Sequence, residues 1–140
     1  MKIFISASIT FVKEILETKK KLEALGHEAL IPLETEDLAK APDTIESFKV
    51  DLKNAQQTNI LHKNFQEVAS ANTLLTLNLD KRGIKGYIGP SALMEMGLAF
   101  YLGHKLFLWQ DVPHWDEVAW GYEIRLMQPT IIKGDLSKIE

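Results

Sequence analysis

The chain has 140 residues, 46% of them hydrophobic and none of them Cys, and its 16 basic and 19 acidic side chains give a formal net charge of −3. That length suits one compact domain with its own core, and the absence of Cys excludes a disulfide framework or a thiolate metal site. A slightly acidic balance offers no bulk attraction to a nucleic acid polymer, and no apolar run approaches the roughly 20 residues of a membrane span.

The opening, MKIFISASITFVKEILETKKK, passes from a short apolar run into a charged amphipathic segment. It lacks the apolar core and small-residue cleavage site of a secretion signal, so a cytoplasmic protein without membrane partners is expected. Residues 2–7, KIFISA, read as a strand buried on both faces. Residues 12–25 place Val12, Ile15, Leu16, Leu22 and Leu25 near helical spacing, and Gly26 supplies the stop. Lys19, Lys20 and Lys21 lie beside Glu14, Glu17 and Glu23, the pattern of a solvated helix face.

EALIPL (28–33) is a second strand candidate, and the acidic ETEDLAKAPDT after it reads as a surface loop. Residues 45–71 are helix-permissive, with a break expected at Thr58-Asn59. TLLTLNL (73–79) is a buried strand followed by the Gly-rich DKRGIKGYIG. A helix over 90–102, a strand over 105–109, a helix over 115–127 and a strand over 130–134 complete the chain.

Strands alternating with helices predict an α/β fold: a single-domain, doubly wound, mostly parallel five-stranded sheet with helices on both faces, flavodoxin- or Rossmann-like. Ligands of such sheets bind beyond the carboxyl ends of the strands, where strand order reverses. The site is therefore expected in SASIT (6–10) and NLDKRGIKGYIGPS (78–91).

Within GPSALMEMGLAF (89–100) one carboxylate, Glu95, interrupts an apolar helix near its amino end. Pro90 is pre-set for the first helical position, and the free amides of that turn face the crevice. Burial favours the protonated carboxyl and the helix terminus favours the anion, so Glu95 suits general-acid or nucleophilic work. A structural role, locking the loop through an amide or a cation, fits the spacing equally well.

Gly83, Gly86 and Gly89 do not form G-x-G-x-x-G and follow the third strand, which argues against a nicotinamide cofactor; no cofactor is expected. Ser6, Ser8 and Thr10 offer hydroxyls at the first strand's tip, or a cap for the next helix. His27, His62, His104 and His114 show no metal-ligand spacing, so no metal site is expected. No G-x-S-x-G elbow is present.

FISASIT, ANTLLTLNLD and above all YIGPSALMEMGLAFYLGHKLFLW resemble the nucleoside 2-deoxyribosyltransferase-like superfamily, which includes deoxynucleoside-monophosphate N-glycosidases. The resemblance runs along nearly the whole chain. It implies a doubly wound domain in which Glu95 is the nucleophile on the anomeric carbon of a 2-deoxyribosyl group. It also implies a nucleoside or nucleotide ligand, a pocket wall from Ser6 to Thr10, and a homodimer or higher oligomer whose neighbours complete the site.

Together with loop position, it makes Ser6, Ser8, Asn64, Asp80, Tyr87, Gly89 and Ser91 the candidate substrate-binding residues. The chain departs from the pattern at three carboxylates: Gly89 stands six positions before Glu95, Asn64 eight before the residue opening the third strand, and Asn72 at that opening. The leading expectation is an enzyme acting on an N-glycosidic bond; the alternative is a nucleotide-binding or sensing module that has lost turnover.

Overall fold

Two features of β1 (Lys2–Ala7) set the architecture: it is an interior strand of the sheet, and its side chains alternate between two cores. The computed structural model describes residues 1–45 and 52–140. In chain order, β1 is followed by α1 (Val12–Ala24), β2 (Glu28–Leu30), α2 (Thr35–Lys40), α3 (Leu52–Thr58), α4 (Ile60–Ser70) and β3 (Thr73–Leu77). The chain continues through α5 (Pro90–Tyr101), β4 (Lys105–Leu108), α6 (Trp120–Met127) and β5 (Thr130–Ile131).

The sheet is wholly parallel in the order β2-β1-β3-β4-β5. The chain winds outward from β1 to β2, then crosses back to β3 and proceeds the other way, so strand order reverses between β1 and β3. On one face Phe4, Leu74, Leu106 and Leu108 meet Val68, Met96 and Ile124 from α4, α5 and α6. On the other, Ile3, Ile5, Leu75 and Phe107 meet Ile15 and Leu22 of α1. Leu136 and Ile139, in and beside a 3-10 turn at Leu136–Lys138, cover the rest of that face. Burying each such side chain stabilises the fold by about 1.5–3 kcal/mol.

Helix ends follow their glycines. After α1, Gly26 takes φ +91°, its amide bonds Glu23 O at 3.0 Å and the His27 amide bonds Leu22 O at 3.1 Å. Gly103 repeats this Schellman arrangement after α5, with Gly103 N on Phe100 O and His104 N on Ala99 O.

Several boundaries differ from the sequence reading. The acidic stretch read as a loop contains α2, which buries Thr35 and Leu38 and packs against α1. β2 stops at Leu30 instead of 33, because Pro32 has no N–H for the ladder. The break at Thr58-Asn59 is present, with Asn59 left-handed at φ 54°; of the 45–71 stretch, residues 46–51 lie outside the described residues. The helix expected from 115 begins at Trp120. The preceding segment instead turns about His114 and is tied down by Arg125, whose guanidinium donates to Pro113 O, Gly121 O and Val112 O. β5 spans two residues instead of five, because Lys133 and Gly134 turn at positive φ. Among the described residues no helix is long and apolar enough to cross a membrane.

Candidate functional site at the strand-order reversal

A cavity of about 430 Å³ opens beyond the carboxyl ends of β1 and β3, where the strand order reverses. Among the described residues five segments line it: Ala7 to Ile9 after β1, Pro32 and Glu34 after β2, Ile60, Leu61 and Asn64 on α4, Lys81, Arg82 and Tyr87 after β3, and Gly89 to Ala92 with Glu95 on α5. The volume lies within the range of small-molecule pockets, roughly 300–1,000 Å³.

Glu95 borders this cavity and is 5% exposed. Its neighbour Met96 points into the core and is fully buried, while Met94 is exposed, so the helical turn places the carboxylate at the edge of the apolar layer. Beneath it Ser6 Oγ donates to Glu95 Oε1 at 2.7 Å. Ser6 is directed at α5 by strand alternation, since Phe4 two residues earlier faces the same core. Thr76 lies opposite Ser6 in the β1–β3 register, and its hydroxyl has no hydrogen-bond partner among the described residues.

Burial pushes the Glu95 carboxyl up to about 7; the Ser6 hydroxyl opposes this and the charge of Glu34 adds to it. At neutral pH both protonation states are therefore populated. An ion pair does not neutralise the group, since no Lys, Arg or His forms a salt bridge with it among the described residues.

The other candidates divide. Ser8, Asn64, Tyr87, Gly89 and Ser91 line the cavity with Glu95. Ser6 lies below it, reaching the cavity only through Glu95. Asp80 does not line it: its Oδ1 accepts from Gly86 N at 3.1 Å and Gln110 Nε2 at 2.8 Å, which folds the 80–86 turn onto the loop after β4. None of the first-strand hydroxyls caps α1; Ser8 Oγ lies 2.6 Å from Lys81 Nζ and 3.2 Å from Thr10 Oγ1. Asn72 sits at the amino end of β3, where it accepts from Lys2 N, far along the strand from the cavity. Gly89 has ordinary φ and ψ, and a Cβ there would touch only the Tyr87 ring at 3.6 Å.

Three lining charges were not singled out from the sequence. Lys81 and Arg82 stand in the very loop expected to build the site, where the sequence reading picks out the glycines, Asp80, Tyr87 and Ser91. Glu34 follows β2, and the rule that ligands gather at carboxyl strand ends would have included that loop as well. Among the described residues no group of three His, Cys, Asp or Glu is placed to hold a metal ion.

The cavity is polarised. By the loops they come from, the β2 side carries Glu34 with the apolar Pro32, Ile60 and Leu61, and the β3 side carries Arg82, the amino end of α5 ahead of Glu95, and Lys81, which is bonded to Ser8 of the β1 loop. No protein family, curated protein or solved structure matches the chain.

Proposed function

We propose that this protein cleaves or transfers at the N-glycosidic bond of a deoxyribonucleoside 5′-monophosphate, with Glu95 as nucleophile. The observation that carries the reading is a nine-tenths-buried carboxylate, bonded by Ser6, bordering a sugar-sized cavity at the strand-order reversal. A carboxylate on an apolar wall can attack an oxocarbenium-like anomeric carbon where water is largely excluded. One Glu95 oxygen bonds C1′ as the C1′–N bond breaks; the base leaves with that electron pair and takes a proton from solvent, which the attacking water or second base later returns. Water or a second base then releases the sugar and regenerates the carboxylate.

Lys81, Arg82 and the amides at the amino end of α5 favour a phosphorylated substrate over a bare nucleoside, because that wall offers positive charge to an anion. Met94, Phe100 and Tyr101 are exposed on α5 and supply apolar surface for the homodimer or higher oligomer that belongs to this reading, to be checked by sedimentation. A cytoplasmic setting belongs to it as well.

The test is to incubate the protein with a panel of deoxynucleosides and their 5′-monophosphates and to follow free base by chromatography. Base is released, fastest from a monophosphate, and Glu95→Gln lowers the rate by on the order of 10³-fold or more. Release unchanged in Glu95→Gln refutes the assignment. The second reading, a binding module without turnover, draws on the proton that Glu95 holds at neutral pH, which weakens it as a nucleophile. It predicts nucleotide-dependent thermal stabilisation with no free base.

A further inference from the structure

The cavity contains a second carboxylate, Glu34, held in place before any ligand arrives. Asn64 Nδ2 donates to Glu34 Oε2 at 3.0 Å, and Asn64 Oδ1 accepts from Leu33 N at 2.9 Å. The Asn64 side chain, 8% exposed, therefore clamps both the acid and the backbone that carries it to α4. Among the described residues the Glu34 carboxylate has no other hydrogen-bond partner and no ion pair, although the residue lines the cavity. Its surroundings on that side, Pro32, Ile60 and Leu61, are apolar and suited to the face of a planar ring.

We infer that Glu34 determines base specificity, accepting hydrogen bonds from the edge of the nucleobase and selecting the guanine pattern, in which a ring N–H and an exocyclic amino group stand side by side. This rests on the nucleotide reading above. A carboxylate is an acceptor-only group whose two coplanar oxygens match two parallel donors. Adenine, cytosine and thymine set an acceptor beside a donor on the same edge, so each turns a lone pair toward a carboxylate oxygen. The polarity of the cavity fixes the direction of binding: the phosphate is drawn to Lys81 and Arg82 and repelled by Glu34 and Glu95, leaving the base on the Glu34 side.

The experiment measures binding of 2′-deoxyguanosine 5′-monophosphate and its 2′-deoxyinosine counterpart, which lacks only the 2-amino group, by calorimetry on the full chain, with Glu95→Gln in every sample so that no nucleotide is consumed and with wild type denoting Glu34 intact. The adenine and thymine monophosphates complete the panel. Wild type binds the guanine nucleotide most tightly, by about 10-fold or more over the inosine analogue. Glu34→Gln weakens guanine binding by about 10- to 100-fold and brings that ratio close to one, while retained binding of the inosine analogue reports an intact fold. Asn64→Ala, which frees Glu34 from its clamp, reduces the preference to a smaller extent.

An unchanged ratio in Glu34→Gln, or a wild-type preference for adenine or thymine, overturns the inference. Because binding is read without turnover, a guanine preference with no base release defeats the glycosidic reading alone. Base release with a ratio indifferent to Glu34 defeats the specificity assignment alone, and failure to bind any nucleotide defeats both.

Discussion

The burial that makes the charge on Glu95 costly is also what would make it reactive. Its proton affinity rises from 4.5 to about 7, a displacement worth about 3 kcal/mol at about 1.4 kcal/mol per pH unit. Since the folded value lies above the unfolded one, the folded state binds more protons between the two. The associated stability is present in full below about 4.5 and is lost as pH rises through about 7. Glu95→Gln, which stays neutral, is thus expected to unfold at higher denaturant than wild type at pH 8, by up to about 3 kcal/mol, with the gap closing by pH 4. A gap independent of pH would show that Glu95 is not the group responsible.

Activity runs the opposite way from stability. A nucleophile must be ionised, so kcat/KM for base release climbs as pH passes through about 7 and then levels off. Among the described residues the charges lining the cavity with Glu95 are Glu34 from the loop after β2 and Lys81 and Arg82 from the loop after β3; Ser6 on β1 contributes a neutral donor. Ser6→Ala removes the hydrogen bond that favours the anion, moving the limb of the profile upward and lowering the rate at pH 7 by about 10- to 100-fold. A profile falling through 7 would instead make Glu95 an acid.

At the scale of elements, the loop from β3 to α5 determines where the cations and Tyr87 stand, and its form depends on Gly86. That residue has φ +72°, and a Cβ on it would collide with the Asp111 carbonyl oxygen, a backbone atom. Gly86→Ala is therefore expected to cost about 1–3 kcal/mol in chemical unfolding and to weaken nucleotide binding as the loop shifts. A neutral outcome would mean that the 86–111 contact yields easily. Asp80 serves the same turn by accepting the Gly86 amide, which is why a carboxylate so near the site in sequence takes no place in its lining. α4 has a comparable positioning role: the left-handed Asn59 starts a new helix at Ile60, and that helix presents Asn64 to the β2 loop.

At the scale of the molecule, the described residues cover the two faces of the sheet unequally, by three helices on one side and by α1 with the Leu136–Ile139 segment on the other. Leu136 and Ile139 are 8% and 4% exposed, so this short segment closes a core that, among the described residues, no helix beyond α1 reaches. Ile139→Ala is expected to cost roughly 2 kcal/mol or more, read as a lower unfolding midpoint. The site beyond the strands' carboxyl ends should keep its ligand affinity, because the cavity draws no residue from this segment.

Much of this arrangement was already legible in the chain as a string. Alternation of short apolar runs with helical spacing specified the parallel sheet, because strands covered on both faces must be apolar on both. The same logic placed the crevice beyond β1 and β3 and singled out Glu95 as the carboxylate that an apolar helix had to accommodate. Weakly patterned pieces, such as α2 and the 115–119 turn, were misread because their conformation is imposed by contacts from distant residues. Only the tertiary structure brought Glu34 to the cavity, set Ser6 beneath Glu95 across 89 residues of sequence, and withdrew Asp80 into its turn. Local periodicity is written in adjacent residues, whereas the company a charge keeps depends on which strand ends the winding of the chain sets side by side.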